Sequence, residues 1–175
     1  MISAPVLETP RLVLRAHELD DLDACVAMWA APEVVRYTVG TPSSPQRTWL
    51  RVLGYRGHWS MLGFGYWAVI ERASGTFVGE LGFADFKRDV PDDLRGLPEV
   101  GWAFVRSAWG KGYATEGVRA AIAWGDAHFA GSRTVCLVNP ENVASANVAR
   151  KCGFREHGRI TLDGDVDDVF VRDPG

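Results

Sequence analysis

The 175-residue chain has little cysteine, no block of basic charge and no long apolar run, and each scarcity removes a class of protein. Cys25, Cys136 and Cys152 are odd in number, far apart and set among apolar neighbours. That excludes a disulfide framework and fits reduced, packed thiols in a cytosolic protein. Beyond short pairs such as Lys87-Arg88 there is no basic cluster, and with a net charge of −3 nothing marks a nucleic-acid partner. No apolar run approaches the roughly 18 residues of a membrane span, and Met1 to Pro10 lacks a basic n-region and an apolar h-region. A soluble, cytoplasmic protein is expected. His17, His58, His128 and His157 have no Cys or carboxylate partner at ligand spacing, so no metal site is expected. The acidic run Asp163 to Asp168 alternates like a calcium loop, but Asp168 stands where glycine is needed and Pro174 where the closing Glu belongs, which leaves an acidic hairpin.

The chain is 47% hydrophobic and 23% charged, enough for one buried core and too short for two ordinary domains. With no repeat or linker, residues 1–175 read as a single domain, a monomer or homodimer. Val6 to Arg15 alternates as a first strand. His17 to Ala31 reads as a helix, with Asp20, Asp21 and Asp23 in its first turn, a stripe of Leu22, Val26 and Trp29, and Pro32 as its stop. A turn-rich connector, Thr41 to Pro45, precedes a second helix from Gln46 to Trp59. Tyr66 to Arg72 and Thr76 to Phe83 form a hairpin around Ala73-Ser74-Gly75. Lys87 to Pro98 is an exposed loop, either a plain surface loop or one beside a substrate entrance.

Glu99 to Val105 is the next strand, and a helix with Val118, Ala121, Ile122, Gly125 and Phe129 on one face runs on to Phe129. Arg133 to Val138 is a strand, Asn142 to Cys152 a helix ended by Gly153, and Phe154 to Thr161 and Val169 to Arg172 are the last strands. A hairpin plus a strand–helix–strand crossover defines an α+β sandwich with a mixed sheet.

The crossover passes through Trp109-Gly110-Lys111-Gly112-Tyr113-Ala114-Thr115-Glu116, a glycine-rich turn between a strand and a helix. The first N–H groups of a helix have no internal partner and, with the helix dipole, attract phosphate. Gly110 and Gly112 would let a diphosphate approach, and Lys111 adds a positive charge. The same glycines can serve only as a tight turn. A P-loop is excluded, because Val105 and Gly112 occupy positions that require Gly and Ser or Thr. A dinucleotide fingerprint is excluded by Thr115 at the third glycine position and by the lack of an acid after Val138.

Joined in order, Glu99-Val100-Gly101-Trp102-Ala103-Phe104, the glycine-rich turn, Asn142-Val143-Ala144-Ser145 and Lys151-Cys152-Gly153-Phe154 resemble the GNAT superfamily of acyl-CoA N-acyltransferases. The closest branch is the Rim, or ribosomal-protein N-acetyltransferase, type. Glu8-Thr9-Pro10-Arg11-Leu12-Val13-Leu14-Arg15 looks like that branch's opening strand, and Phe77-Val78-Gly79-Glu80 like its third. The resemblance implies a mostly antiparallel sheet flanked by helices. It also implies acetyl-CoA as cosubstrate without a metal, and transfer to a primary amine, a protein N-terminus or a small molecule.

In this resemblance the turn Trp109 to Thr115 cradles the pyrophosphate, with Trp109 replacing the family's usual Arg or Gln. Ala103, Phe104 and Val105 would pair through their backbones with the pantetheine arm and offer the oxyanion donor that acyl transfer requires. Asn142, Ser145 and Asn147 would complete the coenzyme site. The attacking amine must lose a proton, for which Glu99 is the first candidate base, Glu80 the second and His58 the third; both carboxylates can equally be paired structural groups. The family's usual tyrosine acid falls at Ala149, so Ser145 takes over protonation of the thiolate. Asn142 can equally be a helix cap. Trp59, Phe64, Tyr66 and Trp67 are candidates for an acceptor pocket or for core. Two other readings stay open: an acyl-CoA-binding sensor without turnover, and a nucleotide-phosphate binder.

Overall fold

The computed structural model describes residues 4–129, 131–162 and 164–175. Within them lies an eight-stranded sheet, built from β1 (Leu7–Glu8), β2 (Leu12–Arg15), β3 (Tyr66–Glu71), β4 (Phe77–Ala84), β5 (Glu99–Phe104), β6 (Thr134–Val138), β7 (Arg155–Leu162) and β8 (Asp165–Arg172). The spatial order is β1-β2-β3-β4-β5-β6-β8-β7. Every neighbouring pair is antiparallel except β5 and β6, which run parallel. The mixed, mostly antiparallel α+β architecture is the one the sequence led us to expect.

The helices are α1 (Leu22–Ala30), α2 (Pro32–Val35), α3 (Pro45–Leu62), α4 (Tyr113–His128) and α5 (Val143–Lys151). One apolar cluster joins Leu81, Phe83, Val100 and Phe104 to Val118, Ala121 and Ile122 of α4. A second, on the opposite face, joins Ala68, Ile70 and Ala103 to Cys25, Met28 and Trp29 of α1 and Val52 of α3. The alternation of side chains along β4 and β5 therefore feeds two cores, which is why β4 is buried at all eight positions.

Several boundaries differ from the sequence reading for local reasons. The first strand is two short strands, because Thr9-Pro10-Arg11 turns the chain and the Thr9 amide donates to the Leu12 carbonyl at 2.9 Å. The first helix begins late. Glu18 is extended, a 3₁₀ turn covers Leu19–Asp21, and Asp21 is drawn into a bidentate pair with Arg15 at 2.7 and 2.8 Å. Pro32 and Pro45 open α2 and α3 instead of only breaking the chain, since the first helical position needs no N–H donor. Ser44 caps α3 by accepting from the Arg47 amide at 3.2 Å.

Of the acidic run, Asp165 to Asp168 belong to β8, which pairs with β7 as a hairpin, while Asp163 lies outside the described residues. The loop from Lys87 to Pro98 is anchored more firmly than an exposed loop would be: Leu94 is buried against Val135, Val169 and Val171. Cys25, Cys136 and Cys152 are free and buried, and burial pushes the Cys152 thiol up to about 11. No described helix is long and apolar enough to cross a membrane.

Candidate active site

The parallel pairing of β5 with β6 lasts for a single residue pair, Glu99 with Val135, supported by the Val135 amide donating to the Pro98 carbonyl at 3.1 Å. Beyond it the two strands part. Along a strand, each residue turns its N–H and C=O to one side and successive residues alternate. The Val105 amide donates to the Val78 carbonyl of β4 at 3.0 Å. By that alternation Ala103 and Val105 face β4, and Trp102 and Phe104 face the gap.

The backbone expected to receive an extended ligand is thereby corrected. Ala103 and Val105 have their amides turned to the neighbouring strand, while the backbone groups of Phe104 and of Trp102, which sequence reasoning did not name, face the gap. The Phe104 carbonyl already accepts from the Trp109 indole N–H at 2.8 Å. Trp109 thus has a role of its own, tying the end of β5 to the turn that follows.

The turn has the geometry of an anion cradle. Gly110 and Gly112 have φ of 73° and 80°, a region that L side chains enter only at a cost of about 1–2 kcal/mol. Nothing stands within 4 Å of a Cβ built on Gly110, and only the tip of Arg11 does so at Gly112. The helical bonds of α4 begin with the Glu116 amide on the Gly112 carbonyl, so Tyr113, Ala114 and Thr115 present amides with no helical acceptor. The tyrosine side chain points elsewhere, donating to Glu71.

Arg11 holds this turn in place. It pairs with Glu116 at 2.6 Å, donates to the Lys111 carbonyl at 2.7 Å and stacks on Tyr113. Its distance of 100 residues from Lys111 in the chain hid that role from sequence reasoning. Lys111 itself has no carboxylate partner among the described residues.

Beside the gap lies a cleft of about 350 Å³ lined by β5 together with residues of α1, α3, β3, β6, α5, β7 and β8. Glu99, Asn142 and Ser145 line it; Asn147 does not, and is exposed with its Oδ1 accepting from Arg150 at 3.3 Å. Asn142 is the cap of α5, its Oδ1 accepting from the Ser145 amide at 3.1 Å, and Ser145 is a half-buried residue of the cleft lining. Ala149 is fully buried in the core one turn further on.

The two candidate carboxylates differ sharply. Glu99 lines the cleft, paired with Arg88; burial holds its carboxyl above the usual range against the opposing pull of that guanidinium. Asp167, on β8 in the same cleft, is likewise raised by burial. Glu80 is sealed. It accepts from the Tyr55 hydroxyl at 2.6 Å and the Trp29 indole at 3.0 Å, and its other oxygen lies 3.3 Å from His17 Nε2. With no exposed surface, it fulfils the structural alternative and not that of a base in contact with substrate.

His17, scattered in sequence, also meets Cys25 here: one ligand-type atom each from His17, Cys25 and Glu80 lie within 4.8 Å of one another. This gathering corrects the expectation that the histidines lack such partners. The Glu80 oxygens are, however, already committed to three neighbours. His58 does not line the cleft, and burial lowers its pKa.

Of the four candidate aromatics, Trp59, Phe64, Tyr66 and Trp67, it is Tyr66 that lines the cleft. Its ring lies over Gly101, where a Cβ would stand 2.1 Å from the Tyr66 hydroxyl, while a Cβ on Gly82 would meet the backbone, 2.4 Å from the Tyr66 Cα. It stacks on Tyr55 with centroids 4.4 Å apart and planes 2° from parallel. Trp59 and Trp67 are core, their indoles bonded to the Tyr66 and Pro5 carbonyls, and Phe64 packs on Phe129.

Sheet order, splayed parallel pair and glycine cradle together describe an acyl-CoA transferase fold, and comparison with known proteins agrees. The acetyltransferase (GNAT) domain family model matches residues 11–155. The chain is 29% identical over 155 residues to the uncharacterized N-acetyltransferase p20 of Bacillus licheniformis, covering 88% of this chain and 84% of the other. A putative GNAT-family acetyltransferase from Bordetella pertussis superposes with a TM-score of 0.85 at 27% identity, over 97% and 99% of the two chains. A RimL ribosomal-protein α-N-acetyltransferase solved with coenzyme A shares the fold at TM-score 0.78 and 18% identity, over 97% and 98%. The chain belongs to the GNAT acetyltransferase family and is an N-acetyltransferase.

Proposed function

We propose that the chain transfers the acetyl group of acetyl-CoA to a primary amine by direct attack, with no covalent enzyme intermediate. The observation that carries this reading is the single-residue pairing of β5 with β6, which leaves Trp102 and Phe104 open toward a gap that ends at the glycine cradle. The pyrophosphate would rest on the amides of the cradle up to Thr115, and the pantetheine arm would add as a short strand beside β5. A gap-facing amide would then donate to the oxyanion.

Glu99 is the base in this proposal. The amine nitrogen bonds to the thioester carbon, the carbon–sulfur bond breaks, the amine proton passes to Glu99, and Ser145 donates a hydrogen bond to the departing thiolate. Burial keeps the Glu99 carboxyl able to take up a proton nearer to neutrality than a solvated carboxylate. Glu80 contributes by fixing Trp29 and Tyr55 in the acceptor wall.

The test is a screen of amines, peptide N-termini and small molecules, for release of the coenzyme thiol. Release that depends on the amine supports the reading. Tight coenzyme A binding with no thiol release across the panel would replace it with the non-catalytic sensor.

A further inference from the structure

The acceptor cleft carries two cations that the reaction just proposed does not use. Arg51, projecting from α3, lays its guanidinium 3.8 Å from the centre of the Trp29 ring. Its Nε is buried and has no hydrogen-bond partner among the described residues. Arg51 forms no ion pair among those residues, although Arg11, Arg15, Arg88, Arg159 and Arg172 are all paired. Arg36, at the rim of the same cleft, also has no carboxylate partner among the described residues and stacks on Tyr37. A guanidinium held against an aromatic wall with an unanswered, buried N–H is costly unless something else supplies the acceptor.

The same cleft has an acidic end. Asp165 and Asp167 of β8 line it, as does Glu99, and neither aspartate forms an ion pair among the described residues. Apart from the Arg88–Glu99 pair, cation and anion are thus kept on different elements of one cavity, Arg51 and Arg36 away from Asp165 and Asp167.

We infer that the acceptor is an amine that also carries a carboxylate, its amine drawn to the Glu99 end and its carboxylate forked by Arg51, with Arg36 at the rim. The inference rests on the acetyltransferase reading and narrows it. A planar guanidinium recognises a carboxylate bidentately, and its stacking on Trp29 fixes the plane in advance. The coenzyme's own phosphates have a separate place, since the cradle at Gly110 and Gly112 is not part of this cleft. Either a small aminocarboxylate or the N-terminus of an acidic peptide offers the required chemistry.

The experiment compares γ-aminobutyrate with γ-aminobutyramide, and the amidated peptides Ala-Glu-Glu and Ala-Gln-Gln, as acceptors for wild type, Arg51→Met and the control Arg47→Ala, an exposed arginine of the same helix that lies outside the cleft. The acid of at least one pair should be preferred by about ten- to hundredfold in kcat/KM, mostly through KM, and the pair that shows it separates the two sources. Arg51→Met, which keeps the apolar stem on Trp29, should collapse that ratio toward one while coenzyme A affinity by calorimetry is unaltered. Arg47→Ala should keep it. Equal use of acid and amide by the wild type, or a ratio untouched in Arg51→Met, overturns the inference and leaves the acetyltransferase reading standing. If no amine releases thiol, that reading falls. Calorimetric titration of γ-aminobutyrate and of Ala-Glu-Glu into the coenzyme A complex then decides the inference: binding lost in Arg51→Met upholds it, and no binding overturns it.

Discussion

Replacing Gly101 with alanine should dislodge Tyr66 from its place in the cleft, and the size of the effect follows from two distances. The new Cβ would stand 2.1 Å from the Tyr66 hydroxyl and 3.3 Å from Cζ, where real Cβ contacts essentially never fall below 3.0 Å. The ring has little freedom to retreat, because it stacks on Tyr55 and is 8% exposed. Overpacking of this kind costs about 1–3 kcal/mol. Tyr66→Phe alone removes a hydroxyl that has no hydrogen-bond partner among the described residues, so it should cost less than about 1 kcal/mol. In the double variant only the 3.3 Å contact with Cζ remains, which a shift of a few tenths of an ångström relieves. The two changes should therefore couple favourably by about 1–2 kcal/mol in a urea-unfolding double-mutant cycle. Thiol release by Gly101→Ala should be slowed through KM for the amine. Additive destabilisation, or an alanine variant as stable as the wild type, would show that the ring does not lie over Gly101.

Other expectations concern the charges and the cradle. Because Glu99, as the proposed base, must be ionised to accept a proton, activity should be full at high pH and fall as pH drops through a pKa above the ordinary carboxylate range. Arg88→Gln removes the opposing pull and should move this acid limb to higher pH, whereas Glu99→Gln should abolish it; an unchanged pH profile in both would place the base elsewhere. Glu80→Gln should lose about 2–4 kcal/mol in thermal or chemical unfolding, since three neighbours then face an amide, yet the folded variant should retain its acid limb. Loss of that limb with unaltered stability would make Glu80 the base instead. Phe83→Ala, at a fully buried position between α4 and the sheet, should cost about 3–5 kcal/mol by unfolding, and a loss under 1 kcal/mol would contradict the packing described.

Local patterns were what the sequence displayed best. The hairpin around Ser74, the strand leading from Glu99, the cradle glycines and the amphipathic α4 all depend on neighbours within a few residues, so their periodicity and turn chemistry were readable. The placement of β8 between β6 and β7 was not, because nothing in Val169 to Arg172 states which edge it will join. The site followed the same rule. Glu99 and Ser145 came from ordered motifs, but the burial of Glu80 by Trp29, Tyr55 and His17 depends on partners 51, 25 and 63 residues away. Arg11 clamping the cradle, and Arg51 on Trp29, are likewise products of the packed fold. Which backbone amides of β5 face the gap was a matter of parity, and one hydrogen bond, from Val105 to Val78, settled it against Ala103 and Val105.

The most direct test of the acetyltransferase assignment to the gap and cradle is the mass of an amine acceptor after incubation with acetyl-CoA and either wild-type protein or Gly112→Glu. The wild type should add one acetyl group, and the variant, with a side chain and a negative charge at a φ of 80° where the diphosphate would rest, should add none. Tight coenzyme A binding by Gly112→Glu, or an amine panel left unacetylated by wild-type protein that binds the coenzyme, would contradict it.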